Sequence, residues 1–304
     1  MTARDWLLLI GLSVLWGGSF FFIGVAVTAL PPFTIVAARV GLAMLVLLAV
    51  LRAMKIDLPR GGSLWLAFIG LGLLNNVIPF TLFVWAQAQV PSGLASILNA
   101  TTPISTVLVA HVFTTDEKLT PNRLLGVLLG FAGVAAMLGP DLLSGQENIF
   151  RGENLLAQGA CLLATLSYAC AAVYGRWFRR FGIAPLVTAT GQFVVSTALL
   201  LPLALLLEQP WRLPFPGWPV LAAVIGLAVV STAFAYVIYF RIMGTAGSNV
   251  NLVTLLVPVS AILLGVLVLG ESLLPRHLIG FGVIALGLAA IDGRVFALLR
   301  NRKT

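Results

Sequence analysis

Charge is what this sequence has least of. Only 9% of its 304 residues are Asp, Glu, Lys or Arg, against 60% hydrophobic, where a soluble domain keeps about a quarter charged. That scarcity excludes a water-soluble fold for nearly all of the chain and places it in lipid. Cysteine is almost absent as well. Cys161 and Cys170 fall in one expected helix, separated by roughly 13 Å along its axis, beyond disulfide reach, so they read as small buried apolar residues. Two histidines, His111 and His277, stand near span ends and read as interfacial hydrogen-bonding groups. The acidic residues are Asp5, Asp57, Asp116, Glu117, Asp141, Glu147, Glu153, Glu208, Glu271 and Asp292, and none falls in the middle of an expected span. The pieces of an intramembrane active site, a paired carboxylate, a Ser/His pair or a metal cluster at depth, are therefore missing. An enzyme is a remote alternative, and no cofactor or metal is expected.

What the chain has in abundance is apolar runs of about 20 residues, the length that crosses a bilayer. Spans are expected near 6–27, 33–53, 64–86, 91–113, 121–139, 154–175, 184–207, 217–240, 246–269 and 275–292. Prolines mark the breaks, among them Pro31, Pro59, Pro91, Pro121, Pro140, Pro210 and Pro275, where helices stop or begin. The first run is longer than the core of a signal peptide and no small-residue cleavage pattern follows it, so it is expected to persist as a span. The expected fold is all-α, an integral membrane protein of ten transmembrane helices.

The basic residues are unevenly placed. One side of the alternating spans receives Arg4, Arg52, Lys55, Arg60, Lys118, Arg123, Arg176, Arg179, Arg180, Arg241, Arg294, Arg300, Arg302 and Lys303; the other receives Arg151, Arg212 and Arg276. By the positive-inside rule both termini are expected in the cytoplasm. The net charge of +8 and pI near 10.3 follow from orientation, without nucleic acid as a partner. The runs at 176–180 and from Arg300 are expected to anchor topology and to touch anionic lipid.

EKLTPNRLLGVLLGFAGVAAM, from Glu117, aligns without gaps on ESLLPRHLIGFGVIALGLAAI, from Glu271. The informative matches are Glu117 with Glu271, Pro121 with Pro275, Gly126 with Gly280 and Gly133 with Gly287. Upstream, Pro103 pairs with Pro258 and Ser105 with Ser260. The chain thus divides into a first five-helix repeat at 1–140, a connecting loop on the far side at 141–153, and a second repeat with a basic tail at 154–304. Five spans per copy is an odd number, so the copies insert with opposite topology, the arrangement that alternating access uses. The four glycines are expected to permit close helix contact. Glu117 and Glu271, each just before a proline-started helix, are expected to be structural.

LSVLWGGSFFFIGVAV in the first span, AARVG in the second, and the twice-used E-x-L-x-P-x-x-L-x-G followed by a second glycine resemble the drug/metabolite transporter superfamily. More narrowly, the chain is similar to its ten-span EamA-type exporters, including the YddG-type exporters of aromatic amino acids. The resemblance covers essentially the whole chain. It implies an inner-membrane exporter of small metabolites, most of all amino acids with aromatic or other neutral side chains, working without ATP by rocking of the two halves. Efflux of cationic drugs and metabolite uptake are the alternatives within transport. A monomer or weak dimer is expected, with a small molecule and membrane lipid as partners.

Polar and aromatic residues inside spans are the candidates for a shared central cavity. Asn76, Pro79 and Phe83 lie at helical spacing in the third span; Asn99, Thr102 and Pro103 do so in the fourth. Their counterparts across the repeat are Ser231 for Asn76 and Thr254 for Asn99. Trp16, Phe20, Tyr168, Tyr236 and Tyr239 can hold an apolar side chain by stacking or an amine on a ring face. Arg39 sits roughly 9 Å below the start of the second span, opposite Gln192 in the repeat. It is expected either to bridge to carbonyls of a neighbouring helix or to meet a substrate carboxylate.

Overall fold

The computed structural model describes residues 2–115, 117–143, 153–176, 178, 182–246, 250 and 252–292. Arg151, Arg179, Arg180, the tail and most of the connecting loop lie outside them. The described residues form ten apolar helices: α1 (Ala3–Ala26), α2 (Pro32–Ala53), α3 (Gly62–Gln87), α4 (Ser92–Phe113), α5 (Pro121–Leu143), α6 (Glu153–Gly175), α7 (Pro185–Glu208), α8 (Trp218–Thr245), α9 (Val253–Leu269) and α10 (Pro275–Asp292). Seven are long and apolar enough to span alone, and three more carry shorter apolar stretches, Pro121–Met137 in α5, Val253–Leu269 in α9 and Pro275–Ile291 in α10. Large side chains on their outer surfaces, such as Leu7, Leu66, Leu206 and Leu267, are exposed, as a lipid-facing belt requires. The expected span boundaries hold to within a few residues at most ends, the start of α9 excepted.

Local chemistry sets the helix ends. Thr2 and Asp5 form a reciprocal capping box at the start of α1, and Pro32, Pro121, Pro185 and Pro275 each open a helix, where a missing N–H costs nothing. Prolines within helices leave carbonyls to be satisfied. In α4 the helix breaks at Ala100 and Thr101, ahead of Pro103, and the Thr102 hydroxyl donates to the Asn99 carbonyl at 2.7 Å, the acceptor that Pro103 cannot serve. Three stretches widen into π turns: Leu73–Val77 in α3, Ala204–Glu208 at the end of α7 and Gly226–Phe234 in α8.

The packing follows a twofold pattern across the chain midpoint. Helix α1 packs on α8 and α9, and α6 packs on α3 and α4; α2 meets α8, and α7 meets α3; α2 meets α7, and α5 meets α10. The largest helix interfaces all join one half to the other. Neither half is therefore a packed body by itself, and halves rocking as separate units is not what this packing favours. The repeat-paired serines act alike. The Ser260 hydroxyl donates to the Ser13 carbonyl of α1 at 2.7 Å, and Ser105 shares a hydrogen bond with Thr165 of α6 at 3.2 Å. The repeated glycines meet as pairs. A Cβ on Gly126 would lie 2.5 Å from the Gly287 carbonyl oxygen, and one on Gly133 would lie 2.8 Å from that of Gly280, so α5 and α10 touch backbone to backbone.

The two faces of the bundle are closed by different means. The start of α1 and the end of α10 lie on one face, called the terminal face; the other is the far face. On the far face, the Glu208 carboxylate at the end of α7 accepts from the amides of Phe33 and Thr34 and from the Thr34 hydroxyl, at 2.9, 2.6 and 2.7 Å. Glu271, after α9, accepts from the amide and hydroxyl of Ser92 at 3.0 and 2.7 Å and from the amide of Gly93 at 3.3 Å. Both second-half carboxylates cap first-half helices, whose first amides have no partner of their own. On the terminal face, Glu117 pairs with Arg176 at 3.3 Å and Asp5 accepts from the Thr245 hydroxyl at 3.0 Å.

Candidate functional site: a central aromatic cavity

Where α1, α3, α4, α6, α8 and α9 converge with Arg39 of α2, they line a cavity of 280 Å³. Its aromatic wall is continuous. Phe20 meets Phe83 edge-on at 5.7 Å, Phe83 stacks on Tyr168 at 6.2 Å, and Tyr168 meets the edge of Phe80 at 6.5 Å. Trp16 packs against Tyr239 at 5.4 Å on the opposing side. Such offset and edge-on contacts hold rings in place while leaving faces for a guest. A second cavity of 350 Å³ shares Trp16, Asn75, Tyr168, Tyr236 and Tyr239 with the first and continues toward the terminal face, past Leu71, Gly175, Ile183 and Met243.

Arg39 is 8% exposed and lines the central cavity. Its Nε donates to the Thr232 hydroxyl at 3.0 Å, and its guanidinium carbon sits 3.6 Å above the Phe80 ring. Thr232 in turn donates to the Leu227 carbonyl at 2.7 Å within the wide turn of α8, so its hydroxyl works in both directions. Arg39 thus ties α2 to a hydroxyl of α8 rather than to the carbonyls of the first expectation, while its guanidinium stands at the cavity wall. Among the described residues no carboxylate pairs with it. A desolvated cation held by one hydroxyl and one ring face keeps much of its electrostatic cost unrepaid.

The repeat counterpart of this tie lies opposite. Asn75, in the wide turn of α3, donates from Nδ2 to the Gln192 Oε1 of α7 at 3.1 Å and to the Tyr236 hydroxyl at 3.2 Å. In each half, then, a polar residue of the second helix is bound to the π turn of the other half's third helix.

Of the sequence-derived candidates, Trp16, Phe20, Arg39, Phe83, Asn99, Thr102, Tyr168, Tyr236, Tyr239 and Thr254 line the cavity together. Asn76, Pro79 and Ser231 do not. Asn76 is fully buried and donates to Ser196 of α7 at 3.1 Å; Pro79 is buried within α3; Ser231 is buried, and a Cβ on Gly18 of α1 would lie 3.5 Å from its hydroxyl. The π turn explains the displacement of Asn76. It closes one residue wider than an α turn, so the position in register with Phe83 moves back by one, from Asn76 to Asn75. Thr102 is at the wall, but its hydroxyl is committed to Asn99. The lining also includes Ser19, Ile23, Asn75, Phe80, Val253 and Val257. Asn75 could have been found from the Asn-Asn pair just before Pro79.

Two inverted repeats of apolar helices around one walled, mid-bundle cavity define a membrane carrier. The chain belongs to the EamA-like transporter family, whose model matches residues 5–139 and again 155–291. It is 22% identical to the uncharacterized transporter YoaV of Bacillus subtilis (92% of this chain, 94% of that one). It is 27% identical to the uncharacterized inner membrane transporter YedA of Escherichia coli K12 (93% and 89%). A probable amino-acid metabolite efflux pump of Salmonella typhimurium is 28% identical (95% and 94%). A solved crystal structure at 22% identity superposes with a TM-score of 0.66, covering 96% of this chain and 98% of its own, which shows the same fold.

Proposed function

We propose that this transporter exports small metabolites across a bacterial inner membrane, amino acids with aromatic or other neutral side chains foremost, by alternating access without ATP. The observation that carries this reading is the central cavity, aromatic on its walls, with one guanidinium and the carboxamides of Asn75 and Asn99 as polar anchors. Rings accept an apolar side chain by stacking, and the anchors suit a carboxylate and an amine. The Salmonella relative's name agrees with the substrate class. At 280 Å³ the central cavity stands at the lower edge of ligand pockets, which run from about 300 Å³, a size that suits a single small metabolite. A lining with a cation and, among the described residues, no carboxylate also disfavours cationic drugs.

In this proposal the terminal face is cytoplasmic, because the sequence assigns fourteen Lys and Arg residues to the span breaks on that side against three on the other. The loop at 141–153 is then periplasmic, between repeats at 1–140 and 154–304. The second cavity becomes the cytoplasmic vestibule, and the Glu208 and Glu271 caps hold the periplasmic face shut. The test is counterflow of radiolabelled phenylalanine, methionine and threonine into liposomes holding the purified protein, without nucleotide. Saturable exchange of at least one is expected; absence of exchange for all three overturns the amino-acid assignment.

A further inference from the structure

We infer that the central cavity prefers solutes of net negative charge, single-ring or branched carboxylates whose α-amine is absent, oxidised away or acylated, with Arg39 as the group that receives the carboxylate. This rests on the central cavity being the transport site. The lining contains one cation, Arg39, and among the described residues no carboxylate and no histidine. Arg39 is more than nine-tenths buried. Its Nε is engaged by Thr232 and its carbon by Phe80, which orients the guanidinium. Its terminal nitrogens, the pair that grips a carboxylate in a fork, have no partner among the described residues. Ser19 Oγ, at the same wall, is buried and likewise unpartnered.

Each charge class of solute meets this wall differently. A carboxylate supplies the missing counter-charge and satisfies donors already held in place. A zwitterion brings the same carboxylate, but its ammonium finds amide oxygens and ring faces instead of an anion, so its desolvation is incompletely offset. A cation meets Arg39 with like charge and nothing opposite. The order expected is anion, then zwitterion, then cation.

The energetics of export fit an anion. With a negative cell interior, moving one negative charge outward is downhill by an amount that sustains an outward gradient of about fiftyfold per 100 mV. The net charge moved per cycle is that of the solute, whichever half of the cycle carries Arg39 through the field. No coupling proton is needed, so a sequence whose acidic residues all avoid mid-span positions has no missing part.

Three probes that share a phenyl ring separate the cases: 3-phenyllactate (anion), phenylalanine (zwitterion) and 2-phenylethylamine (cation). Efflux from potassium-loaded proteoliposomes of the full chain is followed with valinomycin and stepped external potassium, against protein-free liposomes. Phenyllactate is expected to leave fastest, by about threefold or more over phenylalanine, and to accelerate as the interior is made negative. Phenylalanine flux should not respond to the potential, and phenylethylamine should neither move nor compete. Arg39→Gln should cut phenyllactate flux at least tenfold and erase the preference; if that variant does not fold, the wild-type charge series decides alone. The inference is overturned if phenylethylamine competes as well as phenyllactate, or if phenyllactate flux ignores the potential. Phenylalanine moving while phenyllactate does not overturns it and leaves the amino-acid proposal standing. Phenyllactate moving alone upholds it and removes phenylalanine from the proposed substrates, and no flux for any probe overturns it, while the amino-acid proposal is decided by the counterflow of methionine and threonine.

Discussion

Replacing Glu271 by alanine should loosen the far face of the bundle. The carboxylate sits in the turn after α9, where Gly270 takes the left-handed φ of 67° that lets the chain reverse. There it gathers three donors from the start of α4. A hydrogen bond to a charged group contributes about 1.5–3 kcal/mol and a helix cap about 0.5–2 kcal/mol. Because Glu271 is partly exposed and the freed amides can turn to water, the whole clamp is discounted to about 2–3 kcal/mol. That is a factor of roughly 30 to 150 in the balance between a closed and an open far face. The assay is labelling of a single cysteine at Ser19, a cavity position, with Cys161 and Cys170 replaced by alanine. A membrane-impermeant maleimide is added from the far side of sealed vesicles. Glu271→Ala should raise the labelling rate tenfold or more, with Glu271→Gln in between. Unchanged labelling in a variant that purifies as a folded species would refute the clamp.

Two further outcomes follow from the packing and the ties. Gly126→Ala pushes a methyl onto the Gly287 carbonyl and should lower stability by about 1–3 kcal/mol, read as a fall in melting temperature in detergent; adding Gly287→Ala should cost less than the same change alone, since the helices are already apart. Asn75→Ala should lower transport, whereas Asn76→Ala should leave it near the wild-type rate, because only Asn75 lines the cavity; equal effects of the two on transport would contradict the shifted register.

What could be read from the sequence was whatever repeats or counts along one helix. The spans follow from apolar length, the α5–α10 contact from Gly126, Gly133 and their copies, and most of the cavity from in-span rings. What could not be read was set by partners distant in sequence or by a change of helical pitch. Thr232 is 193 residues from Arg39, and no local pattern announces that a hydroxyl will take its Nε. Asn76 was the natural choice on an ideal helix, and the π turn ahead of Pro79 moved the register by one residue. The interleaving of the halves was also hidden, because a repeat in the sequence says how many copies exist and not which helices they exchange.

Glu117 and Glu271 carry this furthest, being equivalent in sequence and different in structure. Glu271 caps the start of α4 across the midpoint, while Glu117 pairs with Arg176 of its neighbour on the terminal face. An inverted repeat in one conformation must break its symmetry somewhere, and a pair of identical acids with unlike partners is such a place. By the same symmetry, Glu117 belongs against the start of α9 when the far face opens and Glu271 lets go. The Arg176 ion pair, about a third exposed on one side and two-fifths on the other, contributes no more than about 1 kcal/mol, so it restrains Glu117 only weakly. Arg176→Gln should therefore raise labelling at a Ser19 cysteine from the far side by up to about fivefold, and Glu117→Gln, which removes the group that would stabilise the other state, should lower it. If both substitutions move the labelling in the same direction, Glu117 is no counterpart of Glu271 and the two acids are alike in sequence alone.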